Sequence, residues 1–365
     1  MKKTKVIILG GFLGAGKTTL MVSAAEYLRS LGMKVACITN DQGSQLVDSK
    51  MVLKNEIPLQ QVQGGCFCCK FDNLVDSINT IIIEKQPDII IAEAVGSCTD
   101  LVATVIKPLK AYHGEELEIR PLSVVLDPQR FTSIYANNGA QLSYEVSYLF
   151  QKQIEEAQCV VINKNDLMSE DEIKVMIDQL NKDIPNSIKI SVSAVTLQGV
   201  SSWLEFILFG KDSQENVLDI DYDIYAKGEE QLGWLNASIG IQGGIVDVME
   251  LSKSVMNKMI KQFKQRNVEV AHLKLWTECN EDYIKISSVS SNGIIKIDSK
   301  LNNGLWNSDN IEIWVNARIN INFLELKKVL DRTLDKISEE YSLELVVKQM
   351  DCFAPSRPVP TYRMS

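Results

Sequence analysis

A glycine-rich loop near the N-terminus constrains this chain more than any other feature. The sequence VIILGGFLGAGKTTL joins an apolar run, typical of a buried strand, to Gly11-x4-Gly16-Lys17-Thr18 and the start of an amphipathic helix. Glycines let the backbone wrap around a polyphosphate, and the helix N-terminus directs N–H groups and a positive dipole toward it. Lys17 can reach the terminal phosphates, and the Thr18 hydroxyl can bind Mg²⁺. The predicted nucleotide-binding residues of this loop are Gly11, Gly14, Ala15, Gly16, Lys17, Thr18 and Thr19.

The end of a second predicted strand indicates which base the nucleotide carries. There, Gln158–Leu167 reads QCVVINKNDL. Asn163, Lys164 and Asp166 supply the N-K-x-D arrangement. The Asp166 carboxylate can accept hydrogen bonds from the ring N–H and the exocyclic amine of guanine, whereas adenine would leave a buried charge unsatisfied. Lys164 can lie across the base, and Ser193, after a further short strand, is the expected place for another contact to the guanine. The sequence therefore predicts that GTP is the nucleotide.

An acidic strand end supplies the remaining candidates for the nucleotide site. The hydrophobic run Asp88–Gly96 contains Glu93 at its end, followed three residues later by glycine. Glu93 can hold Mg²⁺ through water or position the attacking water, and the glycine N–H can contact the γ-phosphate. A solvated strand-end glutamate is the alternative. We predict catalytic roles for Lys17, Glu93 and Asp41, the last as an outer ligand of Mg²⁺, and slow hydrolysis because no arginine is obviously placed to stabilise the transition state.

Three closely spaced cysteines form a second informative cluster. The segment Gln63–Cys69 reads QGGCFCC and precedes a helical pattern. The thiolates of Cys66, Cys68 and Cys69 are soft ligands that suit Zn²⁺ and similar ions, and they would leave one coordination position open. Buried structural cysteines and a redox pair are the alternatives. We predict a metal site, because three cysteines beside a Gly-Gly turn fill a core poorly.

These motifs, taken in order, resemble a known family. GGFLGAGKTT, GGCFCC, the E-x-x-G at Glu93–Gly96 and QIEEAQCVVINKND are similar to the CobW-type metallochaperone GTPases, relatives of the nickel-insertion GTPases of hydrogenase and urease. The resemblance covers about the first two hundred residues. It implies a P-loop GTPase that binds a transition metal, Zn²⁺ or Co²⁺, at Cys66, Cys68 and Cys69. It also implies delivery to a client metalloprotein or a corrinoid-dependent enzyme.

Two alternatives stay open at this point. In the first, the chain is a GTPase that carries a metal and delivers it. In the second, the chain is a regulatory GTPase that acts as a chaperone of a metalloenzyme, and its cysteines sense metal rather than carry it. Two departures from the family pattern leave the metal unspecified. In the loop Thr39–Ser44 only Asp41 is acidic, and the chain has just 2 histidines, so it holds no histidine-rich metal store.

The composition and the net charge limit which binding partners and which cellular compartment we expect. A formal net charge of −9 argues against nucleic acid and against an anionic membrane as the main partner. The sequence shows no signal-peptide pattern and no apolar stretch of about eighteen residues, so neither secretion nor membrane spanning is predicted. Thiols that look reactive then indicate the reducing cytoplasm. The sequence leaves open whether the chain forms a homodimer.

Alternation of apolar strands with helical patterns predicts an α/β P-loop GTPase domain over residues 1–212, with a mostly parallel sheet and helices on both faces. The acidic, poorly periodic stretch 213–232 is a predicted linker. Over residues 233–350 the order of strand and helix patterns predicts a smaller α+β domain of ferredoxin-like type. The proline-bearing residues 351–365 are predicted to form an extended tail that docks onto the body of the protein or onto a client.

Overall fold

The chain is described by a computed structural model that covers residues 3–43, 47–135, 143–210, 215–290, 293–302 and 304–365. It divides into two compact units. The first comprises Met1–Gln42, Asp48–Ala226 and Arg357–Ser365, and the second comprises Gly43–Val47 and Lys227–Ser356. No helix in the described residues is both long enough and apolar enough to cross a membrane.

The first unit contains an eight-stranded sheet in which every pairing is parallel. Its strands are β1 Thr4–Gly10, β2 Val35–Asp41, β3 Leu59–Gln63, β4 Ile89–Glu93, β5 Leu117–Ile119, β6 Ser123–Leu126, β7 Cys159–Ile162 and β8 Ile188–Ser191. The order is β3-β2-β4-β1-β6-β7-β8, and β5 pairs with β1. Buried, apolar central strands are typical of a parallel sheet whose two faces are both covered. The predicted α/β fold is confirmed.

The segments that connect and follow these strands are helical. The helices are α1 Lys17–Ser30, α2 Val47–Lys54, α3 Phe71–Lys85, α4 Lys107–His113, α5 Pro128–Tyr135, α6 Tyr144–Glu155, α7 Glu170–Asp183, α8 Val200–Phe209 and α9 Tyr222–Glu230. A π-helical turn, Val102–Ile106, leads directly into α4. Helix α7 begins with a capping box, in which Ser169 and Glu172 satisfy each other's backbone N–H groups.

The prediction of a linker over residues 213–232 is wrong in its second half, where α9 forms; residues 213 and 214 lie outside the described part. Tyr225 is fully buried and Ile220 nearly so, and both pack against Leu149 of α6. These apolar side chains favour a packed helix over a flexible connection, and the acidic composition of the stretch concealed them.

The second unit is built on a six-stranded antiparallel sheet of order β13-β12-β11-β15-β9-β16. Its elements are β9 Gly233–Gln242, β10 Ile245–Asp247, α10 Val248–Gln265, β11 Val270–Cys279, β12 Asp282–Ser288, β13 Lys296–Lys300, β14 Leu305–Asn307, β15 Glu312–Ile319, α11 Phe323–Tyr341 and β16 Glu344–Phe353. The four strands β11, β15, β9 and β16 with helices α10 and α11 give the predicted ferredoxin-like order, and β12 and β13 extend one edge. The methionines Met256 and Met259 of α10 lie in its hydrophobic core.

The last strand extends further than the sequence indicates. Asp351, Cys352 and Phe353 still pair with β9, opposite Asn236, Leu235 and Trp234. The predicted tail therefore begins at residue 354 rather than 351, because these three residues gain ladder hydrogen bonds that an extended tail would lack. From residue 354 onward the chain has no helix or strand.

Candidate functional site

The loop between β1 and α1 has a backbone that only glycine can adopt. Gly11 and Gly16 have φ angles of 124° and 94°. A Cβ on Gly11 would lie 2.2 Å from the carbonyl oxygen of Val125, and one on Gly16 would lie 2.4 Å from Nδ2 of Asn163. Residues of β6 and of the segment after β7 therefore lie directly against this loop. The N–H groups of the loop and the start of α1 are left to face a phosphate.

The predicted magnesium residues meet in the fold although 75 positions separate them. The Thr18 hydroxyl donates a hydrogen bond of 3.0 Å to Oε1 of Glu93, and both side chains are buried. Lys17 is also buried, and its ammonium donates to the Gly11 carbonyl at 2.8 Å. Asp41 ends β2, the strand next to β4, where Thr39 lies opposite Glu93. A lysine, a hydroxyl and a carboxylate thus surround the phosphate loop, the set that Mg²⁺–nucleotide chemistry uses.

The N-K-x-D segment is bonded to the phosphate loop by its first two side chains. Asn163 donates to the Ala15 carbonyl at 2.9 Å, and Lys164 donates to the Gly14 carbonyl at the same distance. Lys164 also pairs with Asp127 at 2.5 Å. Asp166 is exposed beyond them. Its carboxylate thus follows two side chains that bond to the phosphate loop, and its predicted contact to guanine stays a prediction.

Ser193 makes its hydrogen bonds inside its own loop. Its hydroxyl accepts from the N–H of Thr196 at 3.1 Å, and its N–H donates to the Gln198 carbonyl at 2.9 Å. The next residue, Ala194, donates to Oδ1 of Asn163 at 3.0 Å. Ser193 therefore shapes the loop that supports the N-K-x-D segment, and its predicted contact to guanine stays a prediction.

The three predicted metal ligands converge. The sulfur atoms of Cys66, Cys68 and Cys69 all lie within 4.8 Å of one another, with Cys66 to Cys68 at 2.9 Å and Cys66 to Cys69 at 3.3 Å. All eight cysteines of the chain are free thiols. A turn closes the loop, because the N–H groups of Cys69 and Lys70 both donate to the Cys66 carbonyl. This compact trio of sulfur donors fits a thiophilic metal ion.

Hydrogen bonds among the three thiols shift their pKa values in opposite directions. Hydrogen bonds with Cys68 and Cys69 hold the pKa of Cys66 well below its usual range. The same bonds raise the pKa of Cys68, and they raise that of Cys69 to about 12. A metal ion that binds all three sulfur atoms must displace the protons that they carry.

Sequence reasoning missed two residues that support the cluster. Asn40, beside Asp41, donates to the Gly65 carbonyl at 2.8 Å and accepts from the N–H of Phe67 at 2.9 Å. It therefore fixes the backbone on both sides of Cys66, and no motif marks it.

The second missed residue is Cys98, which the sequence presents as one of several scattered cysteines. It is fully buried, and its side chain interacts with the thiols of Cys66 and Cys68 strongly enough to shift the pKa of each. Its position two residues after Gly96 was the signal available in the sequence. The thiol cluster thus contacts the segment that follows the acidic strand end of the nucleotide site.

A parallel sheet with a glycine-rich loop after β1 and a buried lysine, threonine and glutamate around that loop defines a P-loop nucleotide-binding protein. The family model of the CobW/HypB/UreG nucleotide-binding domain matches residues 5–191, just over half of the chain. The chain belongs to this family.

Curated relatives match at low identity. A zinc-regulated GTPase metalloprotein activator 1 of Dictyostelium discoideum is 25% identical over 269 residues, 64% of this chain and 52% of the relative. The zinc chaperone CobW of a Sinorhizobium species is 26% identical over 206 residues, 49% of this chain and 56% of the relative. The chain thus spans about half the length of the curated relatives it matches.

Solved structures match more distantly. The Zn(II)-bound YjiA GTPase of Escherichia coli aligns with a TM-score of 0.39 at 15% identity, over 91% of this chain and 99% of that one. HypB of Helicobacter pylori in complex with nickel aligns with a TM-score of 0.41 at 16% identity, over 57% of this chain and 86% of that one.

Proposed function

We propose that this chain is a GTP-hydrolysing metallochaperone. It binds Mg²⁺-GTP at the phosphate loop, takes a transition metal on Cys66, Cys68 and Cys69, and delivers the metal to a client metalloprotein or a corrinoid-dependent enzyme. One observation carries the proposal. The thiol cluster is held from two sides by residues next to nucleotide-site residues, with Asn40 adjacent to Asp41 and Cys98 shortly after Glu93.

The nucleotide half of the proposal assigns a role to each buried polar group. Lys17 neutralises the terminal phosphates, Thr18 binds Mg²⁺, and Glu93 holds the ion or the attacking water. Asp166 reads guanine, and Asp41 acts in the outer shell of Mg²⁺. Hydrolysis is slow in the isolated chain and depends on the metal or the client for acceleration.

The metal half rests on the sulfur donors. Three thiolates leave a tetrahedral ion one open position, which suits an ion that has to be passed on. Zn²⁺ and Co²⁺ both accept thiolate ligands in this geometry. Several relatives are named as zinc chaperones, which favours Zn²⁺ as the cargo. The free thiols also fit a reducing cytoplasm.

A second candidate function is supported by the burial of the thiols. Cys66 and Cys68 are only 3% and 1% exposed, and such sulfurs are poorly placed for direct transfer to another protein. In this alternative the cluster senses metal and sets the nucleotide state, while the chain regulates a metalloenzyme as a homodimer or alone.

Titration with Co²⁺, with and without a non-hydrolysable GTP analogue, tests the proposal. Thiolate-to-cobalt charge transfer should appear at one ion per chain, and the nucleotide should change the affinity by about tenfold. Cys66→Ser should weaken binding by at least about 100-fold, whereas Cys279→Ser, in the second unit, should leave it unchanged. Equal affinities in wild type and Cys66→Ser would contradict the metal site. Binding that ignores the nucleotide, or metal that never passes to a chelating acceptor, would favour sensing over carriage.

A further inference from the structure

The last nine described residues pack against the thiol cluster. This segment, Arg357–Ser365, belongs to the first compact unit, and we refer to it as the clasp. The N–H of Val359 donates to Sγ of Cys69 at 3.2 Å. The N–H of Thr361 donates to the carbonyl of Cys68 at 2.9 Å. Two of the three proposed metal ligands are therefore bonded to the clasp.

Aromatic packing holds the middle of the clasp in place. The ring of Tyr362 meets that of Phe71, the first residue of α3, edge-on at a centroid distance of 5.2 Å. It also lies 5.3 Å from the ring of Tyr112 in α4. Such aromatic pairs stabilise the packing beyond the effect of the apolar area that they bury. The clasp thus bridges the helix after the thiols and the helix after the π-helical turn.

The other end of the clasp binds the segment that follows Gly96. Arg363 donates from Nε to Oδ2 of Asp100 at 2.8 Å, and the hydroxyl of Tyr222 donates to the same oxygen at 2.7 Å. Asp100 is only 2% exposed, and its φ of 65° is the left-handed conformation that a non-glycine residue rarely adopts. A buried carboxylate on strained backbone needs these two partners, and loss of the Arg363 contact would destabilise its position.

The sequence pre-organises the clasp. Val359 stands between Pro358 and Pro360, and both prolines favour extended backbone. Its side chain is 70% exposed, so this residue contributes its N–H to the cluster and little apolar burial. The N–H of Val359 donates to the sulfur of Cys69, and a donor of this kind fixes a metal-ligating sulfur in one orientation.

We propose that the clasp is a gate on the thiol site that the nucleotide controls through Asp100. This rests on the proposed function, together with the sequence-based expectation that the N–H of Gly96 contacts the γ-phosphate. Movement of residues 96–100 withdraws Asp100 from Arg363, the clasp lifts, and Cys69 becomes accessible for metal transfer. In the closed state the clasp covers Cys69 and holds its sulfur toward Cys66 and Cys68.

The test measures how fast iodoacetamide alkylates Cys69 in the metal-free chain of 365 residues. Peptide mass spectrometry follows the reaction at each cysteine. Val359→Pro removes the N–H donor and keeps extended backbone, while Val359→Ala keeps the donor and is the matched control. We expect about tenfold faster alkylation of Cys69 in Arg363→Ala. The increase in Val359→Pro should be smaller, because loss of the N–H donor also raises the pKa of the Cys69 thiol, and Val359→Ala should keep the wild-type rate. Alkylation of Cys159, which is fully buried in β7 of the first unit, reports any general loss of structure and should not change.

The outcomes separate the gate from the metal function. Wild-type alkylation rates in both Val359→Pro and Arg363→Ala would overturn the gate, even if the chain bound metal tightly. Faster alkylation in a chain that binds no metal would retain the clasp as a cover and remove the metallochaperone proposal. In the wild type, Cys69 should be alkylated at different rates in the presence of a non-hydrolysable GTP analogue and of GDP. Equal rates would show that the nucleotide does not control the clasp.

Discussion

The phosphate loop and the thiol loop are built alike and supported differently. Each is a glycine-containing turn between a strand and a helix of the first unit. The phosphate loop is bonded by Asn163 and Lys164, which belong to a nucleotide motif themselves. The thiol loop is held by Asn40, by Cys98 and by the clasp, none of which a motif marks. A nucleotide site is thus assembled from recognisable pieces, whereas a thiol site that must open and close depends on unmarked, long-range contacts.

The largest expected effect is on the recognition of the nucleotide by the first of these two sites. Asp166→Asn replaces an acceptor of two hydrogen bonds with a side chain that can donate to the 2-oxo group of xanthine. We expect affinity for GTP to fall by about 100-fold and affinity for xanthosine triphosphate to rise. Competition against a fluorescent nucleotide measures both. Asp171→Asn, an exposed aspartate in the first turn of α7, is the control and should retain the preference for GTP.

A smaller effect is expected on the thiol side. Asn40→Asp keeps the acceptor for Phe67 but removes the donors to Val62 and Gly65. Two carbonyl groups lose their partner, so the loop should loosen and Co²⁺ affinity should fall by about tenfold. Nucleotide affinity should change far less. The same substitution at Asn55, whose side chain bonds only locally to Met51, should affect neither, and equal losses in both variants would contradict a specific role for Asn40.

A third prediction concerns stability rather than binding, and it tests the segment Thr99–Val102, which follows Gly96 in the sequence. Glu156 accepts hydrogen bonds from Thr99 and from the N–H of Val102, and burial raises its pKa from 4.5 to about 8. The folded state therefore binds this proton more tightly than the unfolded state. The stabilisation is complete below pH 4.5 and is lost as pH rises toward 8.

Glu156→Gln keeps the shape without the titration. It should raise stability at pH 8 by roughly 1–3 kcal/mol and much less at pH 5, as measured by thermal unfolding at both values. Glu155→Gln, with a side chain that is 42% exposed, should show no such pH difference. A pH-independent effect of Glu156→Gln would mean that this carboxyl stays ionised in the fold.

Prediction from sequence succeeded where local pattern and burial agree. The strands β1, β4, β6 and β7 are short apolar runs bounded by turn residues, and the ferredoxin-like order followed from a change of periodicity. It failed where packing decided the outcome. Helix α9 depends on Tyr225 entering a core that its own acidic segment does not reveal. The end of β16 depends on pairing with β9, a strand about a hundred residues earlier in sequence.

The sequence by itself determined the apolar strands of the first sheet, the phosphate loop and the trio of thiols, because each is encoded within a few consecutive residues. Glycine conformations, apolar runs and neighbouring cysteines carry their meaning locally. Only the tertiary structure brought Thr18 to Glu93, Cys98 to the cluster and Val359 to Cys69. Those contacts join segments that are dozens to hundreds of residues apart, and they form only when burial of the shared core offsets the entropy of closing such long loops.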